Sequence, residues 1–176
     1  MIGVGQKFPQ FALKGVVSSD LQTAFKDFSL QDFQGQWLSV FFWPKDFTFV
    51  CPTEIIEYGR QVPAFARRNA KVLGISTDSE FVHLAWREHH PGLKDLPFPM
   101  LADIKRELSE SLGILDPHEG VAQRASYLID PQGVVRFVMV TDLSVGRNVQ
   151  EILRILDALQ TEKLCPCDWK PGEPTL

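Results

Sequence analysis

WLSVFFWPKDFTFVCPTEIIEYGRQVPAFARR, residues 37–68, is the stretch whose reading decides the fold. Residues 37–43 form an apolar run long enough for one buried strand. Pro44–Asp46 reads as a turn. A helix is expected to begin near Cys51–Pro52 and to run towards Arg68. Proline at a first-turn position and Glu54 near the positive helix end are both start signals. Pro63 falls inside that helix and is expected to kink it.

The same alternation extends outward. KVLGIST (71–77) reads as a second strand, apolar enough to be buried on both faces. Residues 80–90 read as a helix, 97–103 as extended chain and 105–113 as a short helix stopped by Gly113. RASYLID (124–130) and VVRFVMV (134–140) flank Pro131-Gln132-Gly133, a hairpin signature. VQEILRILDALQ (149–160) reads as a closing amphipathic helix. Periodicity ends there, and the tail from Glu162 is rich in proline, cysteine and charge. The expected division is a domain over 1–161 and a mobile C-terminal tail over 162–176. The element order predicts an α/β thioredoxin-like fold, with a mixed central sheet flanked by helices. Its first strands are parallel, and the hairpin adds antiparallel ones. That fold carries many activities, so function must be argued from the site.

Composition narrows the classes. The net charge is −4 and there is no block of Lys or Arg, which argues against nucleic acid or an anionic membrane as partner. No apolar stretch is long enough to span a bilayer, and the first residues lack a signal-peptide pattern. The cytoplasm is the expected location. Three cysteines are too few, and odd in number, for a secreted disulfide scaffold.

Cys51 is the candidate nucleophile. It follows a strand and a turn and opens a helix, where unpaired N–H groups and the macrodipole favour a thiolate. Thr48, three residues earlier, lies in a segment that can fold back towards the sulfur. Its hydroxyl can donate to an anion or accept from a substrate. Pro44 closes the entry turn and would shield the site from water. From position alone, Cys51 reads equally well as a buried core cysteine beside Phe49 and Val50.

The local string separates these readings. Pro44-x-x-x-Thr48-x-x-Cys51 resembles the active-site motif of peroxiredoxins. FFWPKDFTFVCPTEI (41–55) is similar to the typical two-cysteine class of the alkyl hydroperoxide reductase C type. VLGISTDSEFVHLAW (72–86), FPMLADIKREL (98–108), Arg124 before ASYLID, DLSVGRN (142–148) and CPCDWKPG (165–172) follow in the family's order. The resemblance covers nearly the whole chain and implies peroxiredoxin insertions in the fold. It also implies a thiol-dependent peroxidase, acting in antioxidant defence on hydrogen peroxide and alkyl hydroperoxides. Cys51 would be the peroxidatic cysteine, and Thr48 and Arg124 would hold the peroxide and the thiolate. Glu54 and Arg147 would form an ion pair that positions Arg124. Cys165 would be the resolving cysteine, normally paired with Cys51 of a partner subunit. The implied assembly is a homodimer, further assembled into a ring of dimers. Outside the resemblance, Arg124 and Arg147 also read as surface charges and Glu54 as a dipole partner.

Cys165-Pro166-Cys167 is not a CxxC motif. Four scattered histidines (83, 89, 90 and 118) offer no partner pair for a structural zinc site. No metal is therefore expected. Cys167 is an extra thiol, either an electron relay or a spare exposed group. No flavin, nucleotide or phosphate-loop motif appears, so no cofactor is expected and electrons must come from another protein. By resemblance this is thioredoxin, a flavoprotein reductase or a CxxC relay protein. Competing readings are a thiol-disulfide oxidoreductase, disfavoured because position 54 is Glu, a holdase chaperone and a metal-binding module.

Overall fold

The computed structural model covers residues 1–176. A seven-stranded sheet has the order β2-β1-β5-β4-β3-β6-β7. The strands are β1 (Ala12–Val16), β2 (Phe25–Ser29), β3 (Trp37–Phe42), β4 (Ala70–Ser76), β5 (Met100–Ala102), β6 (Arg124–Ile129) and β7 (Val135–Thr141). The helices are α1 (Cys51–Ala66), α2 (Glu80–His89), α3 (Glu107–Leu112) and α4 (Val149–Gln160). β3 runs parallel to β4, and β4 to β5; the other pairings are antiparallel. This is the mixed sheet flanked by helices expected from the element order.

Period-two alternation along β3 sorts its side chains. Phe41 and Trp43 enter one core with Ile55, Tyr58, Phe65, Ile152 and Leu156 from α1 and α4. Val40 and Phe42 enter the other, with Leu108 and Leu112 of α3. Both faces of the central strands are therefore buried, which is why they read as continuous apolar runs. α1 passes through Pro63 without interruption and ends two residues before the expected stop. β6 and β7 form the expected hairpin, with a bulge between Leu128 and Ile129.

The hairpin β1–β2 is not evident in the sequence. ALKGV and FKDFS mix charged, small and apolar residues at an exposed sheet edge, so neither shows a clean alternation. A buried guanidinium secures this edge. Arg87 on α2 is 1% exposed and donates to the carbonyls of Val16, Val17, Leu96 and Phe98. Burial pushes its pKa down to about 10, so it stays charged at neutral pH. Arg87→Met would leave those carbonyls without their donor. Urea denaturation is expected to show a loss of about 2–4 kcal/mol; a loss within experimental error would show that the carbonyls find other partners.

The tail also differs from expectation. Trp169 is 4% exposed, and its indole N–H donates to the Glu173 carbonyl. Arg154 of α4 donates to the Trp169 carbonyl at 2.8 Å while its other N–H groups grip Glu151. Leu176 N–H donates to Leu164 O. The lost periodicity thus marks irregular chain anchored by one aromatic residue rather than loose chain.

Candidate active site

Cys51 is the first residue of α1 and is 1% exposed. β3 ends at Phe42, and the loop 43–50 turns the chain into the helix. Two features fix that loop. Phe47 adopts φ 54°, a conformation costing a bulky residue on the order of 1–3 kcal/mol; its ring lies 5.8 Å from that of Trp86. Asp46 is buried, accepting from the Trp43 indole at 2.7 Å and sitting 2.6 Å from His83 Nδ1. The backbone N–H of Asp46 donates to Asp78. His83 Nε2 faces the Leu101 carbonyl at 3.1 Å. In the sequence, His83 stands only as one of four scattered histidines. The available signal is its spacing of four from Arg87 on the inward face of α2.

The turn at Phe47 brings Thr48 back over the loop, and its hydroxyl donates to the Lys45 carbonyl at 2.9 Å. With its proton engaged, the Thr48 oxygen is available to accept a hydrogen bond.

Arg124, the first residue of β6, reaches Cys51. Its Nη1 lies 3.3 Å from Sγ and 2.7 Å from Glu54 Oε2, while Nε donates to Leu143 O at 2.7 Å. Glu54 is one helical turn after Cys51. It is gripped by Arg147 through Nε at 2.7 Å, Nη2 at 2.9 Å and the backbone N–H at 2.9 Å. Arg147 also donates to Ala125 O and Ser126 Oγ. Its guanidinium lies 5.6 Å from the centre of the Phe41 ring, which in turn stacks on Tyr58 at 3.9 Å. One carboxylate thus joins two arginines from opposite sides, all three buried. Burial alone would raise the Glu54 pKa; the bonds and charge of Arg147, followed by the charge of Arg124, more than offset this and hold it below the usual range. These contacts link residues 70 to 93 positions apart.

Pro44, Thr48, Cys51 and Arg124 share a cleft of about 230 Å³ with Lys45, Phe49, Val50, Glu119, Val121 and Leu143. The volume exceeds the ~30 Å³ share of one water, so a small organic molecule fits. The arrangement offers a sulfur nucleophile, a guanidinium beside it and a hydroxyl that accepts.

The tail cysteines are elsewhere. Arg147 and Asn148 lead into α4 at the Cys51 end; the Cys165 thiol contacts Ala158 O and Thr161 Oγ1 at the far end. Twelve helical residues span about 18 Å, so the structure does not bring Cys165 to Cys51 within one chain. Cys165 is half-buried and Cys167 exposed. No group of three or more His, Cys, Asp or Glu side chains is arranged to hold a metal ion. No helix is long and apolar enough to cross a membrane.

Comparison with known proteins agrees over the whole length. Residues 4–138 match the family model described as AhpC/TSA. Alkyl hydroperoxide reductase C of Mycolicibacterium smegmatis is 50% identical over 184 residues, covering 100% of this chain and 94% of the relative. Among solved structures, Mycobacterium bovis AhpC aligns with TM-score 0.88 at 46% identity, covering 97% of this chain and 99% of that one. The reduced 2-Cys peroxiredoxin of Plasmodium vivax aligns with TM-score 0.92 at 36% identity, covering 99% and 93%. With the fold, the buried cysteine and a near full-length match all in agreement, this chain belongs to the AhpC/TSA family, in its two-cysteine, AhpC-type branch.

Proposed function

We propose that this protein is a thiol-dependent peroxidase that reduces hydrogen peroxide and alkyl hydroperoxides in antioxidant defence. The observation that carries the reading is Arg124 Nη1 at 3.3 Å from the Cys51 sulfur, with Glu54 holding the guanidinium from behind. The Cys51 thiolate attacks one peroxide oxygen. The O–O bond breaks and the sulfur becomes a sulfenic acid. The departing oxygen leaves as alkoxide or hydroxide and takes up a proton as alcohol or water. Arg124 supplies N–H groups for the charge growing on that oxygen. Thr48 accepts from the hydroperoxide O–H, which aligns the substrate. Pro44 walls the cleft and Arg147 positions Glu54.

The Cys165 thiol then condenses with the sulfenic acid, forming a disulfide and releasing water. Its position at the far end of α4 supports pairing with the Cys51 of a partner subunit. Functionally the chain divides into a body, 1–161, and a tail, 162–176, that must leave its Trp169 anchor for this step. The first turn of α1 must also open, because Cys51 is buried. The half-buried edge strand β7 supports a homodimer, and exposed Phe47 and Phe49 support assembly of dimers into a ring. Exposed Cys167 serves as the relay to a protein reductant: thioredoxin, a flavoprotein reductase or a CxxC protein in the cytoplasm.

Non-reducing electrophoresis after one equivalent of peroxide tests the pairing. Wild type is expected to run as covalent dimers, and Cys51→Ser and Cys165→Ser as monomers. Cys167→Ser should still cross-link but recycle more slowly. An intact dimer band in Cys165→Ser would remove that residue from the resolving role.

A further inference from the structure

The entrance to the Cys51 cleft lies between two loops, and one ion pair joins them. Lys45 Nζ is 2.5 Å from Glu119 Oε2, and both residues line the cleft. The side chains are 49% and 52% exposed, so the pair sits at the surface of the opening. Glu119 is held in place by its own turn. Asp116 Oδ1 accepts from the backbone N–H groups of His118 and Glu119, and Asp116 O accepts from Gly120 N–H. Arg106 Nε fixes the turn from outside by donating to Gly120 O at 2.7 Å. Lys45 is fixed through its carbonyl, which accepts the Thr48 hydroxyl. One residue therefore holds Thr48 with its main chain and bridges the opening with its side chain.

The geometry points to Lys45 and Glu119 as a charge-neutral gate that sets the charge selectivity of the cleft in favour of uncharged hydroperoxides. This rests on the peroxidase reading above. Behind the cleft, Glu54 binds Arg124 and Arg147; of the charged residues that line it, Arg124 lies at the sulfur while Lys45 and Glu119 pair with each other. Selection by charge falls to the opening. Paired, Lys45 and Glu119 cancel each other there, with Asp78 and Asp116 as the further charges acting on Lys45. The Glu119 bond, then its charge, holds the Lys45 pKa above its usual value, so Lys45 stays charged at neutral pH. An exposed pair adds little to stability; its effect here is on encounter. Without Glu119, Lys45 would draw anionic hydroperoxides. Without Lys45, Glu119 would repel them.

The test compares a short-chain hydroperoxide ending in a carboxylate with its methyl ester, which matches it in size. kcat/KM is measured for both at low and high salt in wild type, Glu119→Gln, Lys45→Met and the double variant Lys45→Glu/Glu119→Lys. At low salt Glu119→Gln is expected to raise the acid-to-ester ratio about two- to threefold, as one unit charge in water acts over roughly 8–10 Å. Lys45→Met should lower the ratio by a similar factor. The exchanged pair should return to the wild-type ratio, and high salt should bring all four together. Equal ratios in the two single variants, or a shifted ratio in the exchanged pair, would overturn the gate. A wild type that consumes neither substrate would overturn the peroxidase reading itself, and the gate with it.

Discussion

Arg124→Ala is expected to slow the second-order reaction with hydrogen peroxide by about 10²–10³-fold, the usual effect of removing one donor from a developing oxyanion. Loss of thiolate does not account for a drop of that size. A free cysteine near pKa 8.5 is only ~3% ionised at neutral pH, and lowering the pKa to ~6 gives ~90%, a gain of roughly thirtyfold. Nucleophilicity falls along with basicity, with a slope of about 0.4–0.5, which returns on the order of tenfold. The net benefit of ionisation is only a few-fold. The remainder belongs to the transition state, where charge moves onto the departing oxygen. Thr48 gives its hydroxyl proton to the Lys45 carbonyl, so the N–H groups beside the sulfur come from Arg124. Stopped-flow rates set against the ultraviolet absorbance of the thiolate would divide the two contributions. If rate and thiolate fraction fall by the same factor, Arg124 acts only on ionisation. Arg124→Lys should recover part of the rate, since it keeps the charge but loses the planar fork that spans sulfur and Glu54.

Glu54→Ala is expected to cost about 3–5 kcal/mol of stability, because it strands two buried guanidiniums without a counter-ion. The Arg147 side chain is 0% exposed and that of Arg124 5%, so water does not easily replace the carboxylate. Peroxide turnover should fall too, since Arg124 loses the group that holds it against the sulfur. Glu54→Gln retains the volume and isolates the charge. The acid limb of the stability curve provides a second readout. The folded pKa of Glu54 lies below its usual 4.5. Its contribution is therefore complete above that value and is lost as pH falls below it through the folded pKa. Denaturant midpoints of Glu54→Gln should change less over that acid range than those of wild type. Parallel curves would mean that other carboxylates govern acid unfolding.

What can be read from the chain follows what is local. β3, β4, β6 and β7 are visible because burial on one or both faces writes itself as apolar runs. β1 and β2 are invisible because Lys14, Gly15, Lys26 and Asp27 interrupt any pattern at an exposed edge. Spacing places Cys51 at a helix mouth and Thr48 nearby. It does not bring Arg124 or Arg147 to Glu54, since those contacts close over 70 and 93 residues; the resemblance supplies them. The Asp46–His83 pair and the Lys45–Glu119 bond escape sequence reading for the same reason. The tail reads as loose because a single aromatic anchor, Trp169, has no periodicity to reveal it.

The carboxylate shared by Arg124 and Arg147 also restricts how such a protein can drift. Glu54 cannot change alone without stranding two guanidiniums in a dry interior. A lineage exploring sequence one codon at a time therefore meets a fitness valley at that position, so loops at the rim, rather than this triad, are where new peroxide preferences should arise.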